Sequence, residues 1–281
     1  MRVNIVIGLL ISTFSLYGQS DLKFDRRFVQ SEDKWVAFKP DSLNSYSFGF
    51  IYIDSQAGLT LDYAGKFKID SNGKYIAEKW ERNSSMKYRL EPNNVLVAHI
   101  PDNRLSELEI DKIPEWLKFY KTGEGTVEQL YRWGYMYNGW NECEKALEFL
   151  LRADKIDPKF KGLQVELAFS YNCLKQFDKA ISHLKYALKD SPNDSYSNKE
   201  LIFAQTKIGQ IQDAEKVYNH VLSKCDDQSY NAENAYNIIQ AYYKNKDVQN
   251  FDRWYLIVGS TLTSDERFKP LVDKMKSDLK P

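Results

Sequence analysis

The sequence predicts an α+β chain: a small antiparallel β-domain followed by an all-α solenoid of helix-turn-helix units. Three observations predict it. Residues 21–108 carry short runs rich in Val, Ile, Phe and Tyr with turn residues between them. From Val127 onward, apolar residues recur at helical spacing. Within that half, KALEFLLRADKIDP (Lys145 to Pro158) returns as KAISHLKYALKDSP (Lys179 to Pro192), with Lys, Ala, Ala and Pro each displaced by 34 residues.

The first twenty residues stand apart. In MRVNIVIGLLISTFSLYGQS, Arg2 supplies a positive start and Ile5 to Ile11 an apolar run. Gly18-Gln19-Ser20 then offers small residues around a cleavage point. The run is shorter than the roughly 20 residues needed to span a bilayer. A cleaved signal peptide over 1–20 is therefore expected, with the mature chain exported to a periplasmic or extracellular space. No cysteine precedes Cys143, so a lipoprotein anchor at this end is excluded. No later segment is apolar enough to cross a membrane.

The β-rich stretch follows, over 21–108. Its candidate strands are KWVAF, SFGFIYID, KFKID, KYIAEKW, KYRL and VLVAHI, an antiparallel sheet of five to seven strands. Asp41-Ser42-Leu43-Asn44, Asp70-Ser71-Asn72-Gly73 and Pro92-Asn93-Asn94 read as turns, and Asn72-Gly73 marks the tip of a hairpin. Over 109–126, EIDKIPEWLKFYK sets Ile110, Ile113, Trp116, Leu117 and Tyr120 on one side. It reads as a connecting helix whose apolar side covers the first repeat, with Lys121 to Gly125 as linker.

The helical half, 127–260, divides into frames of 127–160, 161–194, 195–228 and 231–260. In the first, Gly134, Tyr137, Ala146, Ala153 and Pro158 fall at positions 8, 11, 20, 27 and 32; Ala168, Tyr171, Ala180, Ala187 and Pro192 repeat them. The third frame keeps Ala214 and carries Gly209 at its inter-helix turn, and the fourth is degenerate. Small residues let antiparallel helices approach closely, and Pro ends the second helix of a pair. This pattern resembles the tetratricopeptide repeat (TPR) family. Residues 261–281 read as a capping helix with Phe268, Leu271, Val272 and Met275 turned inward.

The resemblance implies a superhelix whose first helices line a concave groove. Carried over position by position, the groove holds Tyr131, Tyr135, Asn138, Phe169, Asn172, Lys199, Phe203, Lys207, Tyr242 and Tyr243. Tyr135, Phe169, Phe203 and Ile239 form its apolar stripe. Such a groove implies a protein or peptide ligand. Family members that clamp a C-terminal carboxylate use a Lys, Asn and Arg set; here Tyr131, Tyr135, Glu166, Tyr196 and Glu200 stand instead, so that role is not expected.

Chemistry is sparse by comparison. Lys+Arg and Asp+Glu both number 39, and each half is balanced, so the basic footprint of a nucleic-acid binder is missing. Of three histidines, His99 lies at a strand end, and His183 and His220 are expected on solvated helix faces. No metal, phosphate or nucleophile motif is present, and no cofactor is expected. Cys143, Cys173 and Cys225 read as small buried residues with at most one disulfide. Three functions remain open: a non-enzymatic interaction scaffold, a self-associating structural component, or an enzyme using Asp54 and His99 of the β-domain.

Overall fold

A computed structural model describes residues 21–78, 86–123 and 125–279. The signal peptide expected over 1–20, the end of KYIAEKW, and Asn83-Ser84-Ser85, a glycosylation sequon in form, lie outside them. The chain divides into two compact units, one ending at Thr122 and one starting at Gly123. The first is built on an antiparallel sheet and the second on consecutive helix pairs, an α+β architecture.

Among the described residues the sheet has seven strands: β1 (Arg26–Arg27), β2 (Lys34–Ala37), β3 (Tyr46–Asp54), β4 (Gly58–Ile69), β5 (Tyr75–Glu78), β6 (Met86–Arg89) and β7 (Leu96–His99). Their order is β1-β7-β2-β3-β4-β5, with β6 beside β5 on the outer edge of β4. The β4–β5 hairpin turns at Asn72-Gly73 as expected. Asp70 accepts from the amides of Asn72 and Lys74, and Gly73 takes φ +77°. The first half of β4, GLTLDYA, escaped the sequence reading because Gly58 and Ala64-Gly65 look like breakers. Gly65, at φ +138°, sits where the register shifts opposite Phe48 and Gly49.

Period-2 alternation sends Phe48, Phe50 and Tyr52 to one face of the sheet, where Trp35, Phe67, Tyr75 and Leu117 complete an aromatic core. The stretch 109–120 differs from its expectation. It forms no α-helix: Glu109 adopts a left-handed conformation, Pro114 follows, and only a 3-10 turn over Glu115–Phe119 forms. Trp116 and Tyr120 pack on the sheet, with Trp116 4.9 Å from the Tyr52 ring, and Trp35 Nε1 donates to the Asp111 carbonyl at 2.8 Å. Ile113, expected to face inward, is exposed. This segment closes the β core, because the large rings of β3 offer more apolar surface than one short turn could find alone.

The second unit runs α1 (Val127–Gly139), α2 (Cys143–Ile156), α3 (Leu163–Cys173), α4 (Phe177–Asp190), α5 (Ser195–Lys207), α6 (Ile211–Lys224), α7 (Asn231–Lys244), α8 (Val248–Thr263) and α9 (Lys269–Asp278). Each odd helix packs on the even helix after it, and successive odd helices α1, α3, α5 and α7 also touch one another. They therefore form the inner layer of a TPR-like solenoid. The repeat's small residues serve close approach: Ala146, Ala153, Ala168, Ala180 and Ala214 are fully buried. A Cβ added at Gly134 would stand 2.3 Å from Leu150. Each α1–α2-type turn has one left-handed residue at the same place, Asn141, Lys175, Gly209 and Lys246. The amide after it donates back to the helix (Glu142 to Tyr137, Gln176 to Tyr171, Gln210 to Gln205, Asp247 to Tyr242), a Schellman closure repeated four times.

Cys143 at the start of α2 and Cys173 at the end of α3 form a disulfide, and Cys225 is free and buried. Val272 and Met275 seat α9 in the core, but Leu271 is exposed, one residue off the buried stripe.

Candidate functional site

The inner face is first of all a ladder. Asn138 Nδ2 donates to the Glu166 carbonyl at 3.0 Å and to Glu166 Oε2 at 2.8 Å, tying α1 to α3. One repeat later Asn172 makes the same pair of bonds to Glu200, at 3.2 and 2.8 Å, tying α3 to α5. Both asparagines are buried. They were expected among the groove residues; a short amide on the packed side of the helix instead satisfies its donors against the next helix. Burial holds the Glu166 carboxyl above its ordinary pKa, opposed by the Asn138 bond, with the Glu200 charge adding to the rise. The ladder stops at α7, where Asn234 is fully buried and neither of its amide atoms has a hydrogen-bond partner.

Beside the ladder, aromatic side chains gather around a cleft of about 450 Å³ that spans the first three repeats. Tyr131, Phe160, Gly162, Glu166 and Tyr196 line it. Tyr131 lies 5.1 Å from Phe160 and 6.4 Å from Tyr135. A Cβ on Gly162 would meet the Tyr131 hydroxyl at 2.6 Å, so only glycine admits this ring at the start of α3. Tyr135 is 60% exposed and Tyr131 half-buried. Tyr196 stacks edgewise on Tyr230 at 6.1 Å. Lys199 lies over both rings, at 5.1 and 5.6 Å, and pairs with Glu200 at 2.9 Å and Glu233 at 3.6 Å. Burial pulls its ammonium pKa down, but those two carboxylates outweigh it and hold it above the ordinary lysine range. Asp190 and Asp194 stand on the cleft's loop side with Lys159 and Lys161.

Phe169 and Phe203 are half-buried, and Phe203 packs edgewise on Phe177 at 6.1 Å with Lys207 4.6 Å above it. The expected groove does not reach the fourth repeat. Ile239 and Tyr242 are core residues, and the Tyr242 hydroxyl donates to Glu215 Oε1 at 2.8 Å. Tyr243 donates to Asp278 of α9 at 2.8 Å. In that degenerate repeat the helix turns its apolar stripe onto α8 and α9, which closes the end of the core.

Phe160, Tyr230 and Glu233 were not among the expected site residues. Phe160 and Tyr230 lie in the loops between repeats, which helical periodicity does not reach; an aromatic next to each repeat boundary was the only visible signal. His183 is not on a solvated face: it stacks on Tyr171 at 5.3 Å, and its Nδ1 lies 2.6 Å from Gln164 Oε1. Burial lowers its pKa.

In the sheet unit, Asp54 accepts from the amides of Gln56 and Ala57 at the β3–β4 turn, and His99 Nε2 lies 3.1 Å from Ser31 Oγ. The two residues do not converge. Among the described residues no group of three or more His, Cys, Asp or Glu is placed to hold a metal ion, and no helix is long and apolar enough to cross a membrane.

No family model matches the sequence, and no curated protein matches it. Among solved structures the chain is similar to a single-substitution variant of the nearly identical TPR-like repeats of a kinesin light chain from Podosopora anserina. The likeness has a TM-score of 0.40 and 17% identity, over 54% of this chain and 82% of that one.

Proposed function

We propose that this chain is an exported, non-enzymatic interaction protein whose helical unit holds an extended peptide or partner segment against its inner face. The observation that carries this reading is the set of aromatic rings left partly open around the cleft of Tyr131, Phe160 and Tyr196, beside a buried asparagine ladder. Rigid rings with carboxylate and lysine neighbours are the side chains that anchor a bound segment at small entropic cost. The Cys143–Cys173 disulfide supports an oxidising compartment, and so does the leader-like composition of residues 1–20. The separation of Asp54 from His99 supports a role without catalysis.

Photo-crosslinking tests it. p-Benzoylphenylalanine at Tyr135 and at Phe203, in the cells that make the protein, should capture one heterologous partner from both positions. Tyr196→Ala should abolish that capture, with a circular-dichroism melt to confirm that the helical unit still folds. Adducts formed only with the protein itself would overturn the reading. One observation favours self-association as a second reading: Leu256 and Ile257 on α8 are 86% and 53% exposed. Light scattering that shows a monomer across a broad concentration range would remove it.

A further inference from the structure

Tyr52, Trp116 and Tyr120 form three sides of a box in the sheet unit. Their ring centroids are 4.9 Å (Tyr52–Trp116), 4.7 Å (Tyr52–Tyr120) and 5.8 Å (Trp116–Tyr120) apart, at interplanar angles of 67°, 65° and 87°. Lys87 closes the box. Its Nζ stands 5.8, 5.4 and 4.6 Å from the three ring centres and donates to the Tyr120 hydroxyl at 2.5 Å. We propose that this box is a binding site for alkylammonium cations, and that Lys87 is the chain's own, displaceable occupant.

The sheet register explains how the lysine arrives there. Lys87 of β6 lies opposite Asp62 of β4, and Asp62 opposite Phe50 of β3, so all three leave the sheet on the aromatic face. Tyr52 is fully buried, Trp116 and Tyr120 are half-buried, and Lys87 is exposed. The tyrosine is thus the floor, the other two rings are walls, and the lysine is the lid. Each ring presents the negative face of its quadrupole to a cation, and three rings around one ammonium are the arrangement that selects organic cations over hydrated metal ions. Burial raises the Tyr52 phenol's pKa, and Tyr120, Asp54 and Asp62 raise it further; the two carboxylates also favour a cation over the box.

The occupant is replaceable because, apart from its bond to the Tyr120 hydroxyl, what holds it is the same ring faces a ligand would use. β6 is a four-residue edge strand paired with β4, and its lysine carries a flexible stem whose charge already meets water. An inward-pointing lysine also guards a sheet edge against pairing with another chain. That role needs only the charge, and accounts for neither the three rings nor their steep mutual angles.

The test uses the full chain labelled with 5-fluorotryptophan, the Trp116 resonance being assigned with Trp116→Phe. n-Butylammonium and tetramethylammonium chlorides are titrated into wild type and Lys87→Ala, with sodium chloride at equal ionic strength as reference. The expected result is a saturable shift of the Trp116 signal in Lys87→Ala, about ten-fold weaker in wild type, where the resident lysine competes. Tyr120→Leu in the Lys87→Ala background should abolish it. Tighter binding of butylammonium would identify the ligand as a lysine side chain, and tighter binding of tetramethylammonium a choline-type head group. No saturable shift with either ion, or equal binding by wild type and variant, overturns the proposal. Lys87→Met, which keeps the stem without the charge, serves if the alanine variant does not fold.

Discussion

Replacing Ala204 with serine should stabilise the helical unit by about 1 kcal/mol. Asn138 has all its polar atoms engaged: besides its two donor bonds, its Oδ1 accepts from Ser170 Oγ at 2.7 Å. Asn172 repeats the donor bonds one step on, but its Oδ1 is buried without a partner. The cause is legible in the repeat, since the residue 34 positions after Ser170 is Ala204. A buried acceptor left unmet costs about 1–3 kcal/mol, and a serine hydroxyl here would supply the donor. Against this stands the poorer helix propensity of serine, about 0.5 kcal/mol. The net expectation is a gain of about 0.5–2.5 kcal/mol, read as a rise of about 2–4 °C per kcal/mol for a unit of this size. Calorimetry of the full chain measures it. Ser170→Ala, which strands the Asn138 acceptor, should cost about 1–3 kcal/mol. If Ala204→Ser leaves the melting temperature unchanged and Ser170→Ala costs less than about 0.5 kcal/mol, the polar ladder does not stabilise the inner layer.

Three further outcomes are expected. Lys175 holds φ +60° at a turn where the next repeat uses Gly209, so Lys175→Gly should stabilise by up to about 1 kcal/mol, seen as a higher urea midpoint at constant m. Ala180→Trp, at a position with no exposed surface, should lower the melting temperature sharply through overpacking. Phe203→Ala, half-buried, should change it far less and weaken partner capture; the reverse order would place Phe203 in the core. Stability should fall with acidification: burial depresses the His183 pKa below its ordinary value of 6.5. As pH drops through that value the unfolded chain takes up the proton first, and stability is lost down to the lower folded-state value. Denaturant melts from pH 7.5 to pH 5 should show a shallower slope for His183→Phe.

Much of the helical half could be read in advance because its constraints are local and recur. A small residue at Ala146 or Ala180 and a proline at Pro158 or Pro192 report a packing distance and a helix end wherever they stand in the frame. The strands of the sheet were legible where alternation was clean, as in SFGFIYID, and were missed where glycines interrupted it, as in GLTLDYA. The candidate site was legible only in part. The positions carried over from the TPR resemblance picked out Tyr131, Tyr135 and Phe203 as inner-layer residues, yet they also selected Asn138, Asn172 and Tyr242, whose side chains are consumed by packing and hydrogen bonds. Helical phase says which side of a helix a residue occupies, and not whether a neighbour already covers it.

By itself the sequence determined the succession of a β-rich part and a helix-pair part, the 34-residue frame and the absence of a catalytic motif. Each follows from short-range sterics, propensity and period, which act within a few residues of one another. Tertiary structure alone decided that Cys143 meets Cys173, that the stretch around Trp116 closes the β core, and that Lys87 enters a box of rings from two other segments. Those are meetings between residues about 30 or more positions apart, set by sheet register and helix stacking, and no local pattern encodes which distant side chain will fill a given space.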